Sequence, residues 1–141
     1  IITYNVPGRT GVNMTAKTIK ALANIPNIVA VKEASGNISQ IASIIGAVRS
    51  SDFKVYSGDD GIILPVMSMG AQGLISVASN IIPKQMVDMV HAVQNGDMQL
   101  AQDLFFKYRG LMEVMFCETN PIPVKFACSK SSSRNILFLS P

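Results

Sequence analysis

The residue of greatest chemical promise in this sequence is Lys32, which follows the apolar run Ile28-Val29-Ala30-Val31. A neutral lysine amine attacks a carbonyl carbon to form a Schiff base, and apolar surroundings favour the neutral form by desolvating the ammonium. The run before Lys32 offers such surroundings. The alternative is a strand-end lysine whose ammonium reaches solvent over its own aliphatic stem. Tyr4 sits near the end of an earlier β-branched and aromatic segment, Ile1 to Val6, and so holds the equivalent place one strand earlier. Neighbouring strands lie about 4.8 Å apart, so the two side chains are able to meet. Arg9 follows in the next loop, bracketed by Gly8 and Gly11. Its planar guanidinium suits a substrate carboxylate in bidentate fashion, and equally suits a surface charge. The turn Gly58-Asp59-Asp60-Gly61 either offers backbone donors and carboxylates to a pocket or caps the helix after it.

Other chemistries find little support. Cys117 and Cys128 form no CxxC pair and His91 is the sole imidazole, so neither a zinc site nor a disulfide framework is signalled. The net charge is +3, but the 12 Lys and Arg residues are scattered from Arg9 to Arg134 without a basic stripe, which argues against nucleic acid. No apolar run approaches the roughly 18 residues of a membrane-spanning helix, and a reduced, cytoplasmic chain is the simplest expectation. His91 falls inside a helix at its solvent boundary, and the eight Met residues fit core filling.

These residues need elements to hold them. Ile1 to Val6 reads as a strand stopped by Pro7-Gly8, with a loop beyond. Thr15 is a fitting N-cap for a helix bearing Ile19 and Leu22. Ile28 to Val31 is apolar without alternation, the pattern of a strand covered on both faces, and Lys32-Glu33 closes it. Ile38, Ile41, Ala42, Ile45 and Val48 recur at helical spacing, predicting a helix over Asn37 to Arg49. Phe53 to Ser57 reads as a third strand, Ile62 to Met69 as a short helix with Pro65 in its first turn, and Gly73 to Val77 as a fourth strand. Two helices follow, from Pro83 to Asn95 with Gly96 as its cap, and from Asp97 to about Phe116. Strand-then-helix recurs every 20 or so residues, so right-handed crossovers make the sheet parallel and gather every strand's carboxyl end at one edge. In α/β folds that edge carries the chemistry. At 141 residues the chain is too short for a complete eight-fold barrel, which needs about 200.

Five segments carry a resemblance: Tyr4-Asn5-Val6-Pro7-Gly8-Arg9-Thr10-Gly11, Val31-Lys32-Glu33-Ala34-Ser35-Gly36, Ser57-Gly58-Asp59-Asp60, Gly73-Leu74-Ile75-Ser76-Val77 and Asn120-Pro121-Ile122-Pro123-Val124-Lys125. In order and spacing they resemble the dihydrodipicolinate synthase family, over about Ile1 to Cys128. The resemblance implies an α/β fold: half of a TIM (β/α)8 barrel, strands five to eight with their helices, plus C-terminal helices. Residues 1–128 would form that half, and 129–141 a divergent tail that does not continue as the family's amphipathic helices.

The resemblance also implies chemistry of the class I, pyruvate-dependent aldolase type. Lys32 would form a Schiff base with pyruvate, with no separate cofactor and no metal. The derived enamine would attack L-aspartate 4-semialdehyde on the diaminopimelate route to lysine. Tyr4 would relay protons and Arg9 would bind the carboxylate of the aldehyde. Gly58 and, through its backbone, Ile75 would line the pyruvate pocket. An arginine at position 9 favours this family over the related N-acetylneuraminate lyases, whose similar Tyr-Asn motif lacks one there. A cytoplasmic homo-oligomer is expected, tetrameric in full-length relatives. Two alternatives stand beside this: another pyruvate aldolase such as an N-acetylneuraminate lyase, and a catalytically silent half-barrel that associates through exposed strand edges.

Overall fold

The computed structural model describes residues 1–131, so the expected tail lies outside the described residues from position 132 onward. Four strands, β1 (Ile2–Asn5), β2 (Ala30–Glu33), β3 (Lys54–Ser57) and β4 (Gly73–Leu74), form one sheet in sequential order, and every neighbouring pair is parallel. The crossovers carry α1 (Pro7–Thr10), α2 (Ala16–Leu22), α3 (Ile38–Val48), a 3₁₀ turn (Asp60–Ile62) and α4 (Ile63–Ser68). The chain divides into two compact units, the first Ile1–Ile75 and the second starting at Ser76. In the second, a 3₁₀ turn (Ala78–Asn80) precedes α5 (Pro83–Gln94), α6 (Met98–Val114) and α7 (Ile122–Ser131).

Local chemistry sets these boundaries. Thr15 caps α2 by accepting from the Thr18 N–H, and Asn37 caps α3 by accepting from Gln40 N–H at 3.0 Å. Asp97 does the same for α6 through Leu100 N–H. Each satisfies a backbone donor that the first helical turn leaves without an internal partner. Pro83 opens α5, and Gly96 follows its end at φ 80°, a left-handed conformation that glycine adopts without a Cβ penalty. In the second unit α5 packs on α6, burying Met86, Met89 and Ala92 on one helix and Ala101, Phe105 and Met112 on the other.

The core of the first unit lies between the sheet and α2 and α3, where Ile19, Val31, Ile41, Ile44, Val48, Val55 and Val66 are buried together. Burial alternates along the strands. Asn5, Val31, Glu33, Val55 and Ser57 are buried, whereas Ile2, Tyr4 and Lys54 are exposed and Lys32 and Tyr56 half-buried. One face of the sheet is thus closed by helices and the other is open within this unit, unlike the two-sided cover expected for β2. Three further departures have physical reasons. β2 runs on through Lys32 and Glu33, because both pair with β1 and the polar side chain of Glu33 finds hydrogen bonds beneath the sheet. Pro7–Thr10 is a helical turn where a loop was expected: proline sits at its first position and Gly11, at φ 69°, closes it. β4 stops at Leu74 instead of Val77, its last ladder bond running from Ile75 N–H to Ser57 O.

Candidate active site

Four of the five residues singled out by sequence stand at the carboxyl edge of the sheet or just past it. In the β1–β2 ladder Tyr4 is the register partner of Lys32. The pleat turns both side chains to the open face, and Lys32 Nζ lies 4.3 Å from the centroid of the Tyr4 ring. That is cation–π distance, and it holds the amine next to a phenol. Among the described residues no carboxylate forms an ion pair with this amine.

Gly58 follows β3, and its N–H donates to the Glu33 carbonyl at 2.8 Å, tying the loop to the end of β2. A Cβ at this position would fall 2.7 Å from Ala34 Cβ, 3.0 Å from Lys32 Cε and 3.2 Å from Lys32 Cγ. The lysine stem therefore lies directly against the glycine, and only a residue without a side chain leaves it there. Ile75 is the first residue after β4, one strand further along the same edge. Arg9 differs: it is exposed on α1, and among the described residues its guanidinium forms no ion pair. Asp59 follows the capping reading of its turn, its Oδ1 accepting from Gly61 N–H at 2.8 Å.

Three residues of this edge escaped the sequence reading. Tyr56 is the register partner of Lys32 on the β3 side, so the lysine stands between two tyrosines. Asn5 and Glu33 follow Tyr4 and Lys32, pair with each other in register, and point the opposite way, where they are 1% and 0% exposed. Their signal was position: each is a polar residue directly after a candidate chemical residue, and strand alternation sends it under the sheet.

Fold and edge together define the class: an α/β barrel-type sheet that presents a lysine and a tyrosine side by side at the carboxyl ends of its strands. Comparison with known proteins narrows this. Residues 1–135 match the Dihydrodipicolinate synthetase family, and the chain belongs to that family. It is 53% identical over 127 residues to the 4-hydroxy-tetrahydrodipicolinate synthase of Methanospirillum hungatei, and 48% identical over 131 residues to that of Chlorobium chlorochromatii. These alignments cover 90% and 92% of this chain and 44% of each relative. The chain thus spans less than half the length of the curated relatives it matches. Among solved structures it resembles dihydrodipicolinate synthase from Thermotoga maritima, with a TM-score of 0.91 at 39% identity, covering 100% of this chain and 50% of that one. The enzyme from Aquifex aeolicus gives 0.88 at 40% identity, covering 99% and 49%. The fold is half of a (β/α)8 barrel, strands five to eight with their helices, as the resemblance implied.

Proposed function

We propose that this chain supplies the lysine-bearing half of a 4-hydroxy-tetrahydrodipicolinate synthase, condensing pyruvate with L-aspartate 4-semialdehyde. The observation that carries the reading is the register pair Tyr4 and Lys32, with the amine 4.3 Å from the ring centroid and Gly58 closing against the lysine stem. Family membership supports the choice of reaction.

In this reading Lys32 Nζ attacks C2 of pyruvate, and the carbinolamine loses water to give an imine. Loss of a proton from the methyl carbon turns the imine into an enamine. That carbon then forms the new carbon–carbon bond with the aldehyde, whose oxygen takes up a proton. The Tyr4 phenol, in register with Lys32, donates and recovers protons at these steps. Gly58 and the backbone at Ile75 bound the space beside the lysine that pyruvate fills. Arg9, one helical turn past β1, binds the carboxylate of the second substrate by a bidentate charge-assisted contact. The lysine itself carries the substrate, so the reaction calls on no separate cofactor. A cytoplasmic homo-oligomer accords with the family, and among the described residues no helix is long and apolar enough to cross a membrane.

Incubation with pyruvate and sodium borohydride tests the reading. Reduction of the imine leaves an N-carboxyethyl group on the modified lysine, and peptide mass spectrometry is expected to find it on Lys32. Absence of the adduct there, both in this chain folded alone and in a full-length chain that carries it, overturns the proposal.

A further inference from the structure

We propose that Asn5 and Glu33 are positioning residues that fix Tyr4 and Lys32 relative to one another, an inference that rests on the reading of those two as the reacting pair. Residues 4 and 32 face the open side of the sheet in register, and residues 5 and 33 form the matching pair on the covered side. Whatever moves the rear pair moves the front pair, because each rear residue shares a strand backbone with its front neighbour.

The rear pair is locked by direct hydrogen bonds. Asn5 Nδ2 donates to Glu33 Oε2 at 2.8 Å, and Ser35 N–H donates to Glu33 Oε1 at 2.7 Å. Asn5 Oδ1 accepts from Met14 N–H at 2.9 Å, and Asn5 Nδ2 also reaches Asn13 Oδ1 at 2.9 Å. Asn13 in turn exchanges two bonds with Gln40 in the first turn of α3, at 2.7 and 2.9 Å. The network therefore clamps the loops after β1 and β2 to the strand ends that carry Tyr4 and Lys32. Both oxygens of Glu33 accept, and among the described residues no cation pairs with it although it is fully buried. Burying a carboxylate on neutral donors alone is costly. A buried apolar pair would fill the space without that cost, but would not set direction.

The direction of each bond makes the proposal testable. Met14 N–H forces the Asn5 carbonyl oxygen toward it, which turns the amide NH₂ to Glu33. With Glu33→Gln, one end of the new amide sets NH₂ against a donor, either Asn5 Nδ2 or Ser35 N–H, whichever way it turns. With Asn5→Asp, a carboxylate oxygen meets Glu33 Oε2. The exchange N5D/E33Q repairs both faults: position 5 accepts from Met14 N–H and from the new glutamine, whose oxygen accepts from Ser35 N–H. Asn13 and Gln40 keep their reciprocal bonds by turning over together, which presents an NH₂ to position 5.

The experiment measures the rate of pyruvate and borohydride trapping at Lys32 against pyruvate concentration, with circular dichroism and thermal melting on each variant. Glu33→Gln and Asn5→Asp are each expected to slow trapping at saturating pyruvate by about ten- to hundredfold, the range that misplacement by up to about 1 Å produces, with a smaller change in the half-saturating concentration. The exchange is expected to return the saturating rate to within about threefold of the unsubstituted chain, because the two positions act as a coupled pair. A purely structural role would lower melting temperatures and leave the rate of the folded fraction alone. Folded single variants that trap at the original rate overturn the proposal, as does an exchange no faster than the singles. If the single variants fail to fold, the exchange decides alone: it must fold and trap within that limit, and failure in either respect refutes the proposal. An unsubstituted sequence that folds and is never labelled at Lys32, alone or within a full-length chain, instead refutes the proposed function, and the positioning role with it.

Discussion

Replacing Gly58 with alanine introduces one methyl group at the point where the lysine stem touches the loop after β3. That methyl carbon would stand 2.7 Å from Ala34 Cβ and 3.0 Å from Lys32 Cε. Favourable carbon–carbon contacts begin near 3.5 Å, so relief requires shifts of about 0.8 Å from Ala34 and about 0.5 Å from the lysine. Backbone conformation adds nothing to the penalty, since Gly58 is not among the glycines at positive φ. The contact with Ala34 Cβ is relieved only by backbone movement, which the Gly58 N–H bond to the Glu33 carbonyl resists, and the flexible lysine stem must give way as well. Overpacking of this size costs about 1–3 kcal/mol of stability. A displacement of several tenths of an ångström at the Lys32 amine is expected to lower the saturating rate of pyruvate trapping by about ten- to hundredfold. Rates are to be taken from reductive labelling of Lys32, with urea denaturation run in parallel so that loss of fold and loss of alignment separate. A folded Gly58→Ala variant that is labelled as fast as the original chain would refute the claim that this glycine sets the lysine's position.

Other predictions concern separate parts of the molecule. In a full-length chain, Arg9→Ala is expected to lower kcat/KM for the aldehyde by about tenfold or more, the worth of a lost charge-assisted contact, and to lower pyruvate trapping far less; equal losses in steady-state and trapping assays would contradict its proposed role. Gly46→Ala in α3 and Gly110→Ala in α6 meet no atom within 4 Å and lie in helices, so each is expected to stabilise the chain by about 0.5–1 kcal/mol in urea titrations. Ile44→Ala empties a fully buried site beneath the sheet and is expected to cost about 2–5 kcal/mol by the same titration.

The strand-and-helix order was readable because its signals are local. Thr15 caps α2 as expected, while Asn37 and Asp97, read as the first residues of their helices, stand just outside them as caps; of the apolar residues at helical spacing in α3, Ile41, Ile45 and Val48 are buried and Ile38 and Ala42 are exposed. The register of Tyr4 with Lys32 followed from their equivalent places on parallel strands. Local polarity misled at the end of β2, where Lys32-Glu33 looked like a stop. Strand ends are set by ladder pairing, and a charged residue stays in a strand when hydrogen bonds satisfy it, as Asn5 and Ser35 do for Glu33. That network joins residues 28 positions apart, and no spacing rule along one chain reveals it. The steric role of Gly58 was equally invisible: a glycine needed for close approach looks the same in sequence as one needed for a turn. The open face of β2 was hidden by Ala30 and Val31, both buried, which mask the alternation until Lys32 is placed.

In the proposed function Lys32 is the amine that captures the keto acid. Mass spectrometric mapping of the folded chain after pyruvate and borohydride tests it most directly. A single N-carboxyethyl adduct at Lys32, removed by Lys32→Arg, is expected. Labelling spread over the exposed lysines such as Lys17, Lys54 and Lys84, with Lys32 no more reactive than they are, would contradict it.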